Sequence, residues 1–224
     1  IIIRKGKFMT DNINYKSDLD INRDWPSPNF GDRQGVDISI LVVHYTAMSS
    51  VESTIKRFSD TSSQVSAHYV ISRNGEIFQM VDEEKRAWHA GVAFWRCIKN
   101  VNSASIGIEL DHDGIDVLGH FIPYALPQLQ SLKLLAADIV QRHKIPMQNV
   151  VGHSDVAPMR KQDPGNTFPW KDFANEGIGF WPMQVPTKTY KSLRPGDKSD
   201  EVRDLQAALN KYGYGITVDG DYGT

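Results

Sequence analysis

Residues 38–45 read ISILVVHY, an almost unbroken run of hydrophobes that ends in a histidine and a tyrosine. A strand this apolar is stable in water when both of its faces are covered, so it predicts an inner strand of a sheet flanked by helices. The histidine has its own meaning. His44 shares a face with Ile40 and Val42 and stands at the strand's C-terminal end, where α/β folds place their sites. A structural histidine satisfied by one hydrogen bond is the competing reading.

The rest of the chain fits around that strand. Residues 1–35 are polar and turn-rich, with DWPSPNFGDRQG as loop. Val51, Ile55 and Phe58 fall on one face of a short helix. In AHYVISRNGEIFQMV the pair Asn74-Gly75 separates two β-like runs, a strong hairpin signal. ASIGIEL (104–110) alternates Ile106 and Ile108 against Gly107 and Glu109, as a further strand does. Pro127 opens a long helix whose apolar stripe is Leu129, Leu132, Leu135 and Ile139. NVVGHSDV then reads as a short strand entering a loop. The expected fold is α/β: a central mixed β-sheet flanked by helices, with a small, incomplete helical module at the C-terminus. The expected boundaries are a catalytic domain with its N-terminal extension over 1–181, a linker over 182–193 and the module over 194–224. The first residue, in IIIRKGKFMT, is expected to follow a processing cut or a cloning junction.

Several function classes are disfavoured. A formal net charge of −2 and the lack of an interleaved basic–aromatic tract argue against nucleic-acid binding. No G-x-G-x-x-G follows a strand, and neither a G-x-x-x-x-G-K-[ST] loop nor a G-x-S-x-G elbow is present. No apolar stretch is long enough to span a bilayer. Cys97 is alone, which rules out an intrachain disulfide; it reads as a buried, inert thiol.

Seven histidines raise the question of a metal site, and no short spacing such as H-E-x-x-H answers it. His153 follows an apolar pair and a glycine in VVGHSD, and Asp163 comes ten residues later in a loop pinned by Pro158 and Pro164. Together with His44 they would give Zn²⁺ two imidazoles and a carboxylate and leave a fourth position for water. Glu109 shares a strand face with Ser105 and Gly107. A carboxylate there is costly unless paired or facing a cleft, so it reads either as a general base or as an edge glutamate in solvent. Lys161 lies two residues before Asp163; in extended backbone both point one way, and its ammonium would sit over a developing oxyanion. The alternative is a surface ion pair worth at most about 1 kcal/mol. His68, at a strand start, and His89, in WHAG, could line a groove and donate hydrogen bonds to a substrate amide. His112, His120 and His143 read as surface.

The segments LVVHYTA, SAHYVISRNGEIFQMVDEEKRAWHAG, NSASIGIEL and VVGHSDVAPMRKQDPGNTFPW occur in an order that resembles the zinc-dependent N-acetylmuramoyl-L-alanine amidases. These are the amidase type 2 enzymes, related to peptidoglycan recognition proteins and phage T7 lysozyme. The likeness spans residues 22–181 and rests on several motifs in order. It implies zinc on His44, His153 and Asp163, a general base at Glu109, an oxyanion-stabilising Lys161, and a substrate-contacting His89. For His68 it implies a cleft position or one lying behind the cleft. Many relatives have glycine where this chain has Met159. All three ligands and both catalytic partners are present, which favours an enzyme over a non-hydrolytic recognition module. A different zinc amide hydrolase, such as a deacetylase, is the third reading.

The tail LRPGDKSDEVRDLQAALNKYGYGITVDGDYGT resembles the first part of a peptidoglycan-binding type 1 domain, through Pro195-Gly196, Val202, Leu205, Gln206, Leu209 and Asp219-Gly220. The resemblance implies peptidoglycan or muropeptide as substrate. It also implies work in the bacterial periplasm or at the outer membrane, with a cytoplasmic muropeptide-recycling role as the alternative. A monomer is expected.

Overall fold

The structure is a computed structural model that describes residues 19–182 and 192–223. Residues 1–18 of the expected N-terminal extension and most of the expected linker lie outside the described residues. Strands β1 (Ile21–Asn22), β2 (Phe30–Asp32), β3 (Ile40–Tyr45), β4 (Tyr69–Ile71), β5 (Ile77–Gln79), β6 (Lys85–Ala87), β7 (Ser105–Leu110) and β8 (Val150–Gly152) alternate with helices. The helices are α1 (Val51–Ser59), α2 (Val101–Ala104), α3 (Leu126–His143), α4 (His153–Val156), α5 (Trp170–Asn175) and α6 (Asp200–Tyr212). Six strands form one sheet in the order β1-β5-β4-β7-β3-β8; every pairing is parallel except β4 with β5. β2 and β6 make a separate antiparallel pair.

β3 lies inside this sheet, between β7 and β8, as its composition demands. Leu41, Val43, Ile106, Ile108 and Leu110 face α3, where Leu132, Leu135 and Ile139 are fully buried. Pro127 sits in the first turn of α3, where its missing N–H costs nothing. On the other face, Ile40 and Val42 pack with Trp95, Val101, Ala104, Val151 and Val156. The β4–β5 turn closes with Gly75 N–H donating to Ser72 O, and Gly75 takes a φ of 89°. This is the glycine-terminated hairpin turn that Asn74-Gly75 announced.

The register of β3 against β7 matters most for function. It is parallel and pairs Val42 with Gly107 and His44 with Glu109. Paired residues in a parallel ladder project from the same face. His44 and Glu109 therefore stand side by side at the C-terminal ends of two neighbouring inner strands.

Three expectations are corrected. HSDV forms a helical turn, α4, instead of opening a loop, because Asp155 Oδ2 accepts the Gly152 N–H (2.8 Å) and caps it. His112 is buried, not on the surface; its ring stacks on Tyr124 with centroids 4.1 Å apart, and its Nδ1 accepts from Gly114 N–H. Cys97 is exposed, not buried, because Arg96 and Cys97 (φ 47° and 71°) form the tip of a tight turn between Trp95 and Ile98. His120 is exposed as expected, while His143 is part-buried against Glu83.

Candidate active site

Three chain segments bring the expected ligands together. His44 comes from the end of β3, His153 opens α4 directly after β8, and Asp163 lies in the following loop. Gly152 allows the last two to approach: a Cβ there would meet Pro164 Cδ at 2.6 Å. Ser154 N–H donates to Asp163 O (2.9 Å) and locks the loop onto α4. The result is a tight triangle. His44 Nδ1 lies 2.9 Å from His153 Nδ1 and 3.0 Å from Asp163 Oδ2, and His153 Nδ1 lies 3.0 Å from the same oxygen. All three residues are buried.

Two backbone carbonyls determine where the imidazole protons sit. Val101 O can only accept, so Ser105 Oγ donates to it (2.6 Å) and is left to accept from His89 Nε2 (3.1 Å). His89 Nδ1 is then bare and accepts from His44 Nε2 (3.0 Å), which leaves His44 Nδ1 without a proton. His153 Nε2 donates to Ala90 O (3.0 Å), so its Nδ1 is bare as well. Two lone pairs and a carboxylate oxygen thus point at one another across about 3 Å. A cation resolves that arrangement, and two imidazoles with one carboxylate suit Zn²⁺. The donor set fits the metal that the sequence implied.

The electrostatics agree. Burial, reinforced by the neighbouring His153, lowers the His44 pKa to about 4, so the ring stays neutral at pH 7. Burial would raise the Asp163 carboxyl, but in the metal-free site a proton carried by His153 or His44 on the nitrogen facing it would hydrogen-bond Oδ2 and hold it well below the usual carboxylate range. Burial first, and the Asp163 charge second, push Glu109 up to about 8. Its Oε2 is sealed from solvent and has no hydrogen-bond partner among the described residues.

A cleft of about 710 Å³ opens over this floor, lined among others by Tyr45, Arg57, Trp88, His89, Glu109 and Lys161. That volume suits a small-molecule or short-peptide ligand. Lys161 is half-buried at the rim, and its charge acts on both Glu109 and His44. His89 borders the cleft, yet both of its nitrogens are engaged behind His44. His68 is fully buried: its Nδ1 accepts from Gly107 N–H, and its Nε2 faces Arg33 (2.8 Å) and Lys85 O (3.0 Å). As a substrate contact His68 is therefore corrected; it lies buried behind the cleft, at the start of β4 and beside β7 in the sheet.

Sequence reasoning missed Ser105, which carries the proton chain from His89 to Val101, and Asp155, which caps α4. It also missed Arg160, whose Nη2 donates to Ala90 O and Val92 O and braces the WHAG loop. The clue to Ser105 was its place on the strand face of Gly107 and Glu109.

Comparison with known proteins identifies the family. Residues 34–166 match the family model Amidase_2, described as N-acetylmuramoyl-L-alanine amidase. The chain is 39% identical over 192 residues to the N-acetylmuramoyl-L-alanine amidase AmiD of Escherichia coli (strain K12), covering 81% of this chain and 68% of that protein. Among solved structures it resembles AmiD from E. coli in complex with anhydro-N-acetylmuramic acid-L-Ala-D-gamma-Glu-L-Lys, with a TM-score of 0.71 and 34% identity over 85% of this chain and 82% of that one. It also resembles AmpDh3 from Pseudomonas aeruginosa, with a TM-score of 0.66 and 33% identity over 88% of this chain and 80% of that one. The chain belongs to the N-acetylmuramoyl-L-alanine amidase (Amidase_2) family.

Proposed function

We propose that this chain hydrolyses the amide between the lactyl group of N-acetylmuramic or 1,6-anhydro-N-acetylmuramic acid and the L-alanine of a peptidoglycan stem peptide, using Zn²⁺ held by His44, His153 and Asp163. One observation carries the reading. The three donor atoms, with no proton among them, are flanked by Glu109, the register partner of His44, whose Oε2 no group among the described residues satisfies. When bound, Zn²⁺ supplies Lewis acidity to the scissile carbonyl and to the attacking water.

The protein's own groups do the rest. Glu109 accepts the proton of the attacking water and returns it to the departing amine of L-alanine. Burial raises the proton affinity of its carboxyl, which favours holding the abstracted proton until the amine departs. Lys161 offers its ammonium to the oxyanion of the tetrahedral species. His89 orients His44 through Nδ1, and its exposed edge borders the substrate. The tail's likeness to a wall-binding module supports an envelope location, in the periplasm or at the outer membrane.

The test is a digest of wall sacculi and of purified 1,6-anhydromuropeptide with and without chelator, read by mass spectrometry. Release of an L-Ala-bearing peptide that stops on metal removal is expected. Binding without release would instead indicate a recognition module, and acetate release a deacetylase.

A further inference from the structure

The C-terminal segment does not simply follow the catalytic fold; it packs into it. Tyr214 packs against the core cluster of Ile40, Val42 and Trp95, with its ring edge-on to Trp95 at 5.3 Å. Tyr212 meets the same indole at 5.8 Å. Gly213, between them, has no room for a side chain, since a Cβ would lie 2.7 Å from Arg96 Cγ. Gly215 is equally tight against Phe94.

The surface that receives this turn is built for it. Arg96 and Cys97 hold positive φ without being glycine, a conformation that persists where the surroundings impose it. The gain is visible: Arg96 N–H donates to Gly213 O (2.9 Å), and its Nη1 donates to Tyr212 O (2.6 Å). Two carbonyls at the end of α6, which have no partner within the helix, are thereby satisfied. The same loop binds α4, through Phe94 N–H to Val156 O (2.8 Å).

Asp155 joins this contact to the ligands. Its Oδ1 accepts from Tyr214 O–H (2.7 Å), while its Oδ2 accepts from Gly152 N–H (2.8 Å), the residue before His153. We propose that the C-terminal helix and turn, residues 200–215, brace the metal site, with Tyr214 fixing Asp155 and Asp155 fixing the turn that presents His153. This rests on the reading of His44, His153 and Asp163 as metal ligands. Tyr214 and Asp155 are positioning residues and touch no substrate. By linkage, whatever draws the module off the loop at residues 94–98 loosens the metal, and metal binding in turn holds the module in place.

The experiment uses the full chain loaded with Zn²⁺, as wild type, Tyr214→Phe, Arg96→Ala and the control Tyr222→Phe. Two quantities are read: the rate at which a chromophoric chelator strips the metal, and hydrogen exchange at the Gly152 amide in the metal-free protein. Tyr214→Phe keeps the ring on Trp95 and removes one hydrogen bond. It is expected to release metal about five-fold faster and to expose the Gly152 amide. Arg96→Ala should move both readouts the same way, and Tyr222→Phe should leave both unchanged. Wild-type release and wild-type Gly152 protection in Tyr214→Phe would overturn the brace. Should the wild type take up no metal, the metal reading fails, and Gly152 exchange alone then decides whether Tyr214 supports the turn.

Discussion

Replacing Gly107 by alanine adds one methyl group at a tightly packed point behind the site. Its Cβ would lie 2.5 Å from His89 Cγ, 2.6 Å from Nδ1 and 2.7 Å from Cδ2, far inside ordinary contact. Neither partner has room to retreat. β7 is held from its β4 side, where Gly107 N–H donates to His68 Nδ1 and Gly107 O accepts from His68 N–H. The His89 ring is held at both nitrogens, by His44 and by Ser105. Overpacking of this kind costs roughly 1–3 kcal/mol, and a clash with two fixed partners belongs at the upper end. Whatever displacement does occur must come from the ring, and it breaks the hydrogen bond that orients His44. Loss of such a partner lowers metal affinity by about 10–100-fold.

Gly107→Ala should therefore lower the urea midpoint at unchanged slope and weaken Zn²⁺ in competition with a chromophoric chelator. The decisive measurement is a double-mutant cycle. In a His89→Ala background the added methyl meets empty space, so its cost should shrink to a few tenths of a kcal/mol and leave a coupling of about 2 kcal/mol. Equal cost in both backgrounds would refute the argument, because the penalty would then come from the strand and not from the ring behind His44.

Glu109→Ala should keep its metal yet lose about 10²–10⁴ of turnover, since it removes a proton acceptor and no ligand; metal analysis beside peptide release checks it. Asp163→Ala should instead lower metal occupancy, and full occupancy would remove it from the ligand set. Burial, together with the Arg33 charge, lowers the His68 pKa to about 3 from an ordinary 6.5. Between those values the unfolded chain binds a proton that the folded chain refuses. The stability is whole above pH 6.5 and is lost as pH falls toward 3, at up to about 1.4 kcal/mol per unit. Urea midpoints of the chelator-treated protein from pH 7 to pH 5 should fall accordingly, and a flat profile would contradict a neutral, buried His68.

Much of this architecture was legible because strand and helix periods are local. ISILVVHY, the Asn74-Gly75 turn and the α3 stripe each identify themselves within a dozen residues, and each ligand carries a recognisable residue type at a strand end or in a rigid loop. The errors share one cause, which is dependence on distant partners. His112 lies among polar neighbours in sequence, yet Tyr124 stacks on it and buries it. Cys97 is flanked by Ile98, yet it sits at the tip of a turn whose shape is set by the α6 carbonyls that Arg96 holds. His68 reads as a cleft residue until the sheet order places it beside β7, fully buried.

The protonation state of the site shows why geometry had to supply the rest. Sequence nominates His44 and His153 as ligands but cannot say which nitrogen is free. That is decided by two main-chain oxygens, Val101 O acting through Ser105 and His89, and Ala90 O acting directly. Neither Val101 nor Ala90 needs any particular side chain to do this; each needs its carbonyl aimed correctly. The aim of Val101 comes from α2 running into β7, and that of Ala90 from Asn102 Oδ1 accepting the His89 and Ala90 amides. Which nitrogen each histidine leaves free is therefore a property of the backbone around it, which is why a one-methyl change at Gly107 should register in metal binding.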